Sequence, residues 1–320
     1  RNYKNEDGSF RSWNIGGPLD PKAKYWDSPY TQMYANTNLA AQHRIFGNLG
    51  LIYKFSDFLS ASIKARRDYA AYTQEGRVAS GTVFAGGLGQ FAYLSASALE
   101  ENYEGLLNFS KTYGVISVFG NIGGNVRKNR TDGSYQATEG GLTSPNFYAI
   151  SASVNRPTSR NYRFASRVNS VFGNLSIGYK DFLFVEGSLR NDWSSTLPKK
   201  NNSYLYPSIS GSLVFSELLP ASGVLSYAKL RAGYAQVGTD VGPYQTSLTY
   251  TVSTYNSIPT MFLPGTLPNQ DMKPGMASSY EGGVDLKFLQ NRFGIELTAY
   301  RNDNRNQIIP LPVVPTSGYN

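Results

Sequence analysis

A single histidine, His43, limits the acid–base and metal chemistry available to this chain. A Ser-His-Asp triad or a zinc site would have to be assembled around it. Gln42 and Arg44 flank it where a loop enters a strand, and a surface or rim histidine accounts for it. There is no Cys, which removes thiolate metal sites, catalytic thiols and disulfides. Gly86-Gly87-Leu88-Gly89 has the look of half a phosphate loop, but no Gly-Lys-Ser/Thr follows and no βαβ pattern surrounds it. A flexible loop explains it. Asn5-Glu6-Asp7-Gly8 and Thr131-Asp132-Gly133-Ser134 offer oxygens to calcium, with too few carboxylates at EF-hand spacing. Turn chemistry explains both. No catalytic or metal-ligating residue is assigned, no cofactor is expected, and an enzyme is not the expected reading.

Charged residues at a regular spacing say more. Lys64, Glu104, Arg127, Glu186, Arg190, Asp192, Lys229, Arg231, Glu281, Asp285, Lys287 and Glu296 all fall on the polar parity of two-residue repeats. An Arg or Lys facing mid-bilayer lipid costs about 2–4 kcal/mol. So large a set is not tolerable there, and that parity is expected to face a wet lumen. Two readings stay open: a lined transport path, or charges that pair with one another and with a plug. The mixed signs favour pairing for any single residue.

The elements that position these charges are strands. Ile45, Leu49, Leu51, Tyr53 and Phe55 share one parity, with Asn48 and Lys54 on the other. Leu59, Ala61, Ile63 and Ala65 alternate with Ser60, Ser62, Lys64 and Arg66. Val118 and Ile122 oppose Ser117 and Asn121; Leu183, Val185 and Leu189 oppose Glu186, Ser188 and Arg190; Ile295 and Leu297 oppose Glu296 and Thr298. Period two marks half-buried strands. The pattern predicts about ten strands of ~10–15 residues, against about 5–6 in soluble proteins. A strand tilted at about 45° needs roughly 9–11 residues to cross a bilayer.

Short connections are expected at 56–57, 113–114, 180–181, 216–224 and 289–291, alternating with long ones at 69–102, 128–163, 194–203 and 238–277. Outer-membrane barrels alternate short periplasmic turns with long extracellular loops. The predicted organisation is an extracellular loop region over 1–43, barrel strands with their loops over 44–304, and the start of a further loop over 305–320. Both ends read as interior cuts of a longer protein. Tyr53, Phe55, Phe58, Tyr113, Tyr179, Phe182, Phe215, Phe288 and Phe293 flank the short turns, as an interfacial girdle would. The long loops are rich in tyrosine, and Tyr93, Tyr148, Tyr244, Tyr250 and Tyr255 are candidate substrate binders. Tyr rings stack on sugars and pack on peptide backbones; an equal alternative is that they order exposed loops.

Composition agrees. Charged residues make up 16 % and hydrophobic ones 40 %, with 24 Tyr and 17 Phe. Net charge is +8, but Lys and Arg are scattered singly, so nucleic acid is not an expected partner.

Phe172-Gly173-Asn174-Leu175-Ser176-Ile177-Gly178-Tyr179-Lys180-Asp181 is similar to a "Y-x-Y-K-D" hairpin, and Gly187 to Ser195 to an "R-x-D-x-S-S" strand end. Tyr206-Pro207-Ser208-Ile209-Ser210 resembles "FPSVS", and Lys229-Leu230-Arg231-Ala232-Gly233-Tyr234-Ala235-Gln236-Val237-Gly238 resembles "KLRASYGQVG". Tyr280-Glu281-Gly282-Gly283-Val284-Asp285-Leu286 and Asn304-Arg305-Asn306-Gln307-Ile308-Ile309 continue the order. With these motifs in this order, the chain resembles the middle-to-late part of the barrel of SusC/RagA-like TonB-dependent outer-membrane transporters of the Bacteroidetes. Two departures are Gly275 after Lys273-Pro274, where the family carries an acidic residue, and Asn306, where it often shows Asp. The resemblance implies a barrel of about 22 strands with a plugged lumen. It implies import of a glycan or peptide through the bacterial outer membrane with a SusD-like lipoprotein, powered by TonB acting on a plug. A passive porin or structural outer-membrane barrel is the alternative.

Overall fold

The structure, a computed structural model, describes residues 3–12, 14–220, 224–255, 258–309, 311, 312, 314 and 316. A short hairpin of β1 (Ile15–Gly17) and β2 (Asp20–Ala23) precedes one helix, α1 (Pro29–Tyr34). The helix starts where Ser28 Oγ accepts from the Tyr30 amide and Pro29 opens the first turn, both standard N-terminal signals.

Eight strands then run in chain order: β3 (Thr37–Lys54), β4 (Leu59–Val78), β5 (Gln90–Tyr113), β6 (Ile116–Leu142), β7 (Ser153–Tyr179), β8 (Leu183–Ser194), β9 (Ser203–Leu213) and β10 (Leu225–Thr239). A hairpin of β11 (Thr251–Tyr255) and β12 (Ile258–Phe262) interrupts before β13 (Gly275–Phe288) and β14 (Phe293–Arg305). The sheet has ten strands in the order β14-β13-β10-β9-β8-β7-β6-β5-β4-β3. Apart from the inserted hairpin, every neighbour in the sheet is a neighbour in sequence.

Strand lengths depart from the expectation. The connections predicted at 69–102 and 128–163 contract to 79–89 and 143–152, because β4 runs on to Val78 and β6 to Leu142. Likewise β3 begins at Thr37, inside the stretch 1–43 predicted as loop. At 27 residues, β6 is far longer than a bilayer requires. Beyond the bilayer both faces of a strand can meet water, so alternation fades while backbone pairing continues. Residues 73–77, Thr-Gln-Glu-Gly-Arg, are polar on both parities yet stay in the ladder of β4.

Two compact units divide the chain. One contains residues 1–47, 67–100 and 129–165. Its core is Phe91, Leu142 and Ala152, packed by Tyr93, Tyr148 and Ile150. The buried Asp27 carboxylate accepts from the amides of Val83 (2.9 Å) and Phe84 (3.1 Å), and Asn36 accepts from Ala79. Ser80 and Asn146 exchange hydrogen bonds at 2.8 and 3.0 Å. Gly86, Gly87 and Gly89 have φ of +59°, +85° and +78°, and Gly87 is hydrogen-bonded to Gly81 and Thr82. Backbone bonds therefore hold this glycine run in a closed turn, where a flexible loop was expected.

The other unit contains residues 48–66, 101–128 and 166–320. Its ladders set the faces. Tyr179, Leu183, Leu213, Leu230, Val284 and Leu297 are cross-strand partners in one row. Ser176, Glu186, Ser210, Gly233 and Glu281 form another. Directly opposed residues project to the same face, so these rows lie on opposite faces. Leu175, Val185, Leu189, Ile209, Leu230 and Leu297 are between 43 % and 63 % exposed. An exposed apolar face of this extent marks a surface that meets something other than water. The Lys111 ammonium lies 4.7 Å from the Phe58 ring and 4.9 Å from that of Tyr113, so its charge snorkels among rings beside a short turn.

Candidate functional site

Arg231 organises the charged face around β10. It donates to Glu296 (2.8 Å) and to Thr298 Oγ1 (2.6 Å), and lies 3.7 Å from Glu281 and 3.6 Å from Asp285. Gly283 makes this reach possible: a Cβ there would fall 2.6 Å from Arg231 Nε. Without that side chain, the guanidinium crosses from β10 over β13 to β14. Lys229 stands directly opposite Asp285, adding a second cation to the cluster.

A second cluster spans β7 to β9. Arg190 donates to Asp192 Oδ1 and Ser170 Oγ, both at 2.8 Å, and packs its guanidinium 5.1 Å from the Phe172 ring. The Tyr206 hydroxyl donates to the other Asp192 oxygen at 2.6 Å. Arg66 grips Glu104 at 3.2 and 3.4 Å and also donates to Asn102. Glu104, Arg127, Asn125, Ser170 and Arg190 line one hollow of about 180 Å³. The stem of Lys64 passes over Gly50. Of the charges expected on the lumen parity, Glu104, Arg127, Arg190 and Asp192 gather in one cluster and Lys229, Arg231, Glu281, Asp285 and Glu296 in the other, and the carboxylates of both meet an arginine; Glu186 shares a hollow with Arg231 and Glu281, and Lys287 lies 5.4 Å from the Tyr227 ring. That arrangement suits a fixed, wet wall better than a row of free charges.

Several members of these clusters were not among the expected lumen charges. Arg66 was placed on the polar parity with Lys64 but not counted with them. Tyr206, Ser170 and Phe172 carry no charge, and only the cross-strand register brings them to Arg190 and Asp192.

The five candidate tyrosines separate. Tyr93 packs on the core of its unit. Tyr148 donates to Asn146 at 3.0 Å and lies under the Arg77 guanidinium; burial raises its pKa above the usual phenol value. Both are built into the scaffold. Tyr250 and Tyr255 are well exposed beside and within β11. Tyr244, at φ +65°, lines a cleft of about 930 Å³ between residues of 244–249 and 264–273 on one side and residues 306–309 and 311 on the other. Residues 306–309 and 311 follow β14 in sequence and were not singled out as binders.

The oxygen-rich turns have other partners. Asp7 accepts from the amide and hydroxyl of Ser9, and this holds its pKa below the ordinary carboxylate value. Asp132 accepts from Arg130 (2.6 Å) and Arg163 (2.5 Å). Among the described residues no three His, Cys, Asp or Glu side chains gather as a metal site.

A family model described as "TonB dependent receptor-like, beta-barrel" matches residues 1–320. TonB-dependent receptor P26 of Formosa agariphila is 22 % identical over 331 residues, covering 99 % of this chain and 33 % of that protein. TonB-dependent receptor P39 of the same organism is 22 % identical over 155 residues, covering 48 % of this chain and 15 % of that protein. The chain therefore spans about a third or less of these relatives. Among solved structures, the RagAB peptide transporter superposes with a TM-score of 0.81 at 17 % identity, over 98 % of this chain and 35 % of that one. The siderophore receptor PiuA of Acinetobacter baumannii gives 0.52 at 13 % identity, over 82 % and 40 %. At these identities the likeness to solved structures is one of fold. The chain belongs to the TonB-dependent receptor-like β-barrel family, and its ten-stranded sheet is a stretch of an outer-membrane barrel.

Proposed function

We propose that this chain is part of a TonB-dependent importer that takes an oligomeric nutrient, glycan or peptide, through the outer membrane together with a SusD-like surface lipoprotein. The observation that carries the proposal is the match of the family model along the whole chain. The two faces support it physically: exposed apolar rows suit outer-membrane lipid, and the clustered charges suit a lumen. Apolar residues also stand on the lumen parity. Phe46 and Ile52 are 73 % and 68 % exposed, and a packed plug would cover them where open water would not. In this reading the connections 79–89, 143–152, 195–202 and 240–274 lie outside the cell and meet substrate or the lipoprotein, since binding concentrates in loops held by a rigid scaffold.

Moving a plug needs work, which TonB would supply through a segment outside this chain. The test uses the complete protein. Uptake of its nutrient should collapse when TonB is deleted, and planar bilayers should show little steady conductance. Undiminished uptake without TonB, with a large open-channel current, would make it a passive porin. Deleting 240–274 should weaken nutrient uptake or lipoprotein association; no change in either would remove that loop from the reading.

A further inference from the structure

We infer that the cleft lined by residues of 244–249 and 264–273 and by residues 306–309 and 311 is a binding site for an oligopeptide segment that carries aliphatic side chains and a free carboxylate, and not for a glycan. The inference rests on the importer reading and narrows its substrate class.

The lining carries the argument. Pro264, Leu267, Pro268, Met272, Ile308 and Leu311 supply an aliphatic and prolyl surface. A sugar offers hydroxyls on nearly every ring carbon, and each one buried against aliphatic carbon without a partner costs about 1–3 kcal/mol. Sugar rings are held instead by flat aromatic faces. Among the described residues that line the cleft there is one aromatic ring, that of Tyr244. Aliphatic walls suit Leu, Ile, Val and Pro side chains, while Gln245, Gln307 and Asn306 add amides that can both donate to and accept from a peptide backbone. At about 930 Å³ the space falls within the usual range for ligand pockets.

Charge supplies the second element. Among the described residues the cleft is lined by one carboxylate, Asp271, and one ammonium, Lys273. Asp271 is already paired, with Lys200. Lys273 has no ion partner among the described residues. The site therefore carries one uncompensated positive charge beside an apolar surface, which complements a terminal or side-chain carboxylate on an otherwise apolar chain.

The wall that presents Lys273 is fixed in advance. Asn201 Nδ2 donates to the backbone carbonyls of Asp271 and Met272, each at 3.1 Å, and the Asp271 amide donates to Asn269 Oδ1 at 2.8 Å. Met272 is 8 % exposed. A wall held by such bonds loses little freedom when a ligand docks.

The experiment uses the full-length protein in detergent and a pool of hexapeptides randomised over Ala, Leu, Ile, Val, Pro and Phe, with free carboxylates. Retained members are counted by mass spectrometry, and the tightest is used for titration. We expect peptides to be retained and maltohexaose not to displace them. Lys273→Met should weaken the free acid about tenfold and leave the amidated peptide unchanged. Leu267→Asp should abolish both. Circular dichroism and heat-shifted mobility on gels guard against variants that do not fold; should Leu267→Asp fail these, Ile308→Asn replaces it. Retention of no peptide, displacement by maltohexaose, or equal binding to wild type and Lys273→Met would overturn the assignment. Binding in detergent does not need TonB. A TonB-independent porin that still bound the peptides through Lys273 would sink the importer reading and leave this site standing; TonB-dependent uptake without peptide binding would do the reverse.

Discussion

Replacing Leu189 by arginine tests which face of the sheet meets lipid. Leu189 is the seventh residue of β8 and lies 51 % exposed on the apolar face. Six steps of about 3.4 Å along a strand tilted at about 45° place it roughly 14 Å from the strand start, near the middle of an apolar band about 25 Å tall. An arginine at that depth costs about 2–4 kcal/mol. Its chain neighbour Ser188 points the other way, where its hydroxyl meets that of Ser208 at 2.6 Å. Ser188→Arg loses that hydrogen bond, about 0.5–1.5 kcal/mol, and leaves its guanidinium in a wet lumen. The assay is urea unfolding of the complete protein reconstituted in phospholipid vesicles, followed by tryptophan fluorescence. Leu189→Arg should lower the midpoint clearly more than Ser188→Arg. Equal losses, or a larger loss for Ser188→Arg, would refute the face assignment, because a one-residue change of register inverts every side chain of a strand.

Other outcomes follow from the same geometry. Leu142 is 2 % exposed in its cluster, so Leu142→Ala should cost about 2–5 kcal/mol locally, seen as faster hydrogen exchange at Phe91 and Ala152. Asp27→Ala leaves the Val83 and Phe84 amides without their acceptor, at about 1–3 kcal/mol each if they stay buried; limited proteolysis within 79–89 should rise. Gly283→Val should collide with the Arg231 side chain and lower the unfolding midpoint, and Arg231→Ala in the same protein should recover part of the loss; no recovery would mean that the collision is not the cause. Asp132 lies beyond the residues of β6 needed to span the bilayer, and its bonds to Arg130 and then Arg163 hold its pKa below the usual 3.8. A carboxylate with a depressed folded pKa gives its full stabilisation above the unfolded value and loses it as pH falls through the folded one. Hydrogen exchange of 130–134 should therefore quicken only below about pH 3.8, and Asp132→Asn should remove that step.

Much of the fold was legible because a lipid-facing strand has to alternate. Residues 45–55 and 182–193 showed the period plainly, and all but Phe55 and Phe182 at their ends fall in strands. The outer lengths of β4 to β7 were not legible. There water meets both faces, and nothing in Thr73 to Arg77 separates strand from loop. The candidate site was legible by halves. Charge made Glu104, Arg190 and Arg231 visible, but Tyr206, Ser170 and Gly283 shape the same clusters without charge. Of the tyrosines, residue type alone did not separate Tyr148, which supports its loop, from Tyr244, which lines a cleft.

The sequence by itself determined the architecture: strands, their order, and which side chains of a strand share a face. Each of these is a local constraint, since a wrong side chain in lipid costs several kcal/mol wherever the strand sits. Only the tertiary structure decided the partnerships. Arg231 reaches three carboxylates from two other strands because register and the missing side chain of Gly283 allow it. Residues of 264–273 share a cleft with residues 306–309 and 311 although β13 and β14 separate them in sequence. Such contacts depend on how remote segments fold back on one another, and period-two alternation, which constrains one strand at a time, carries no information about that.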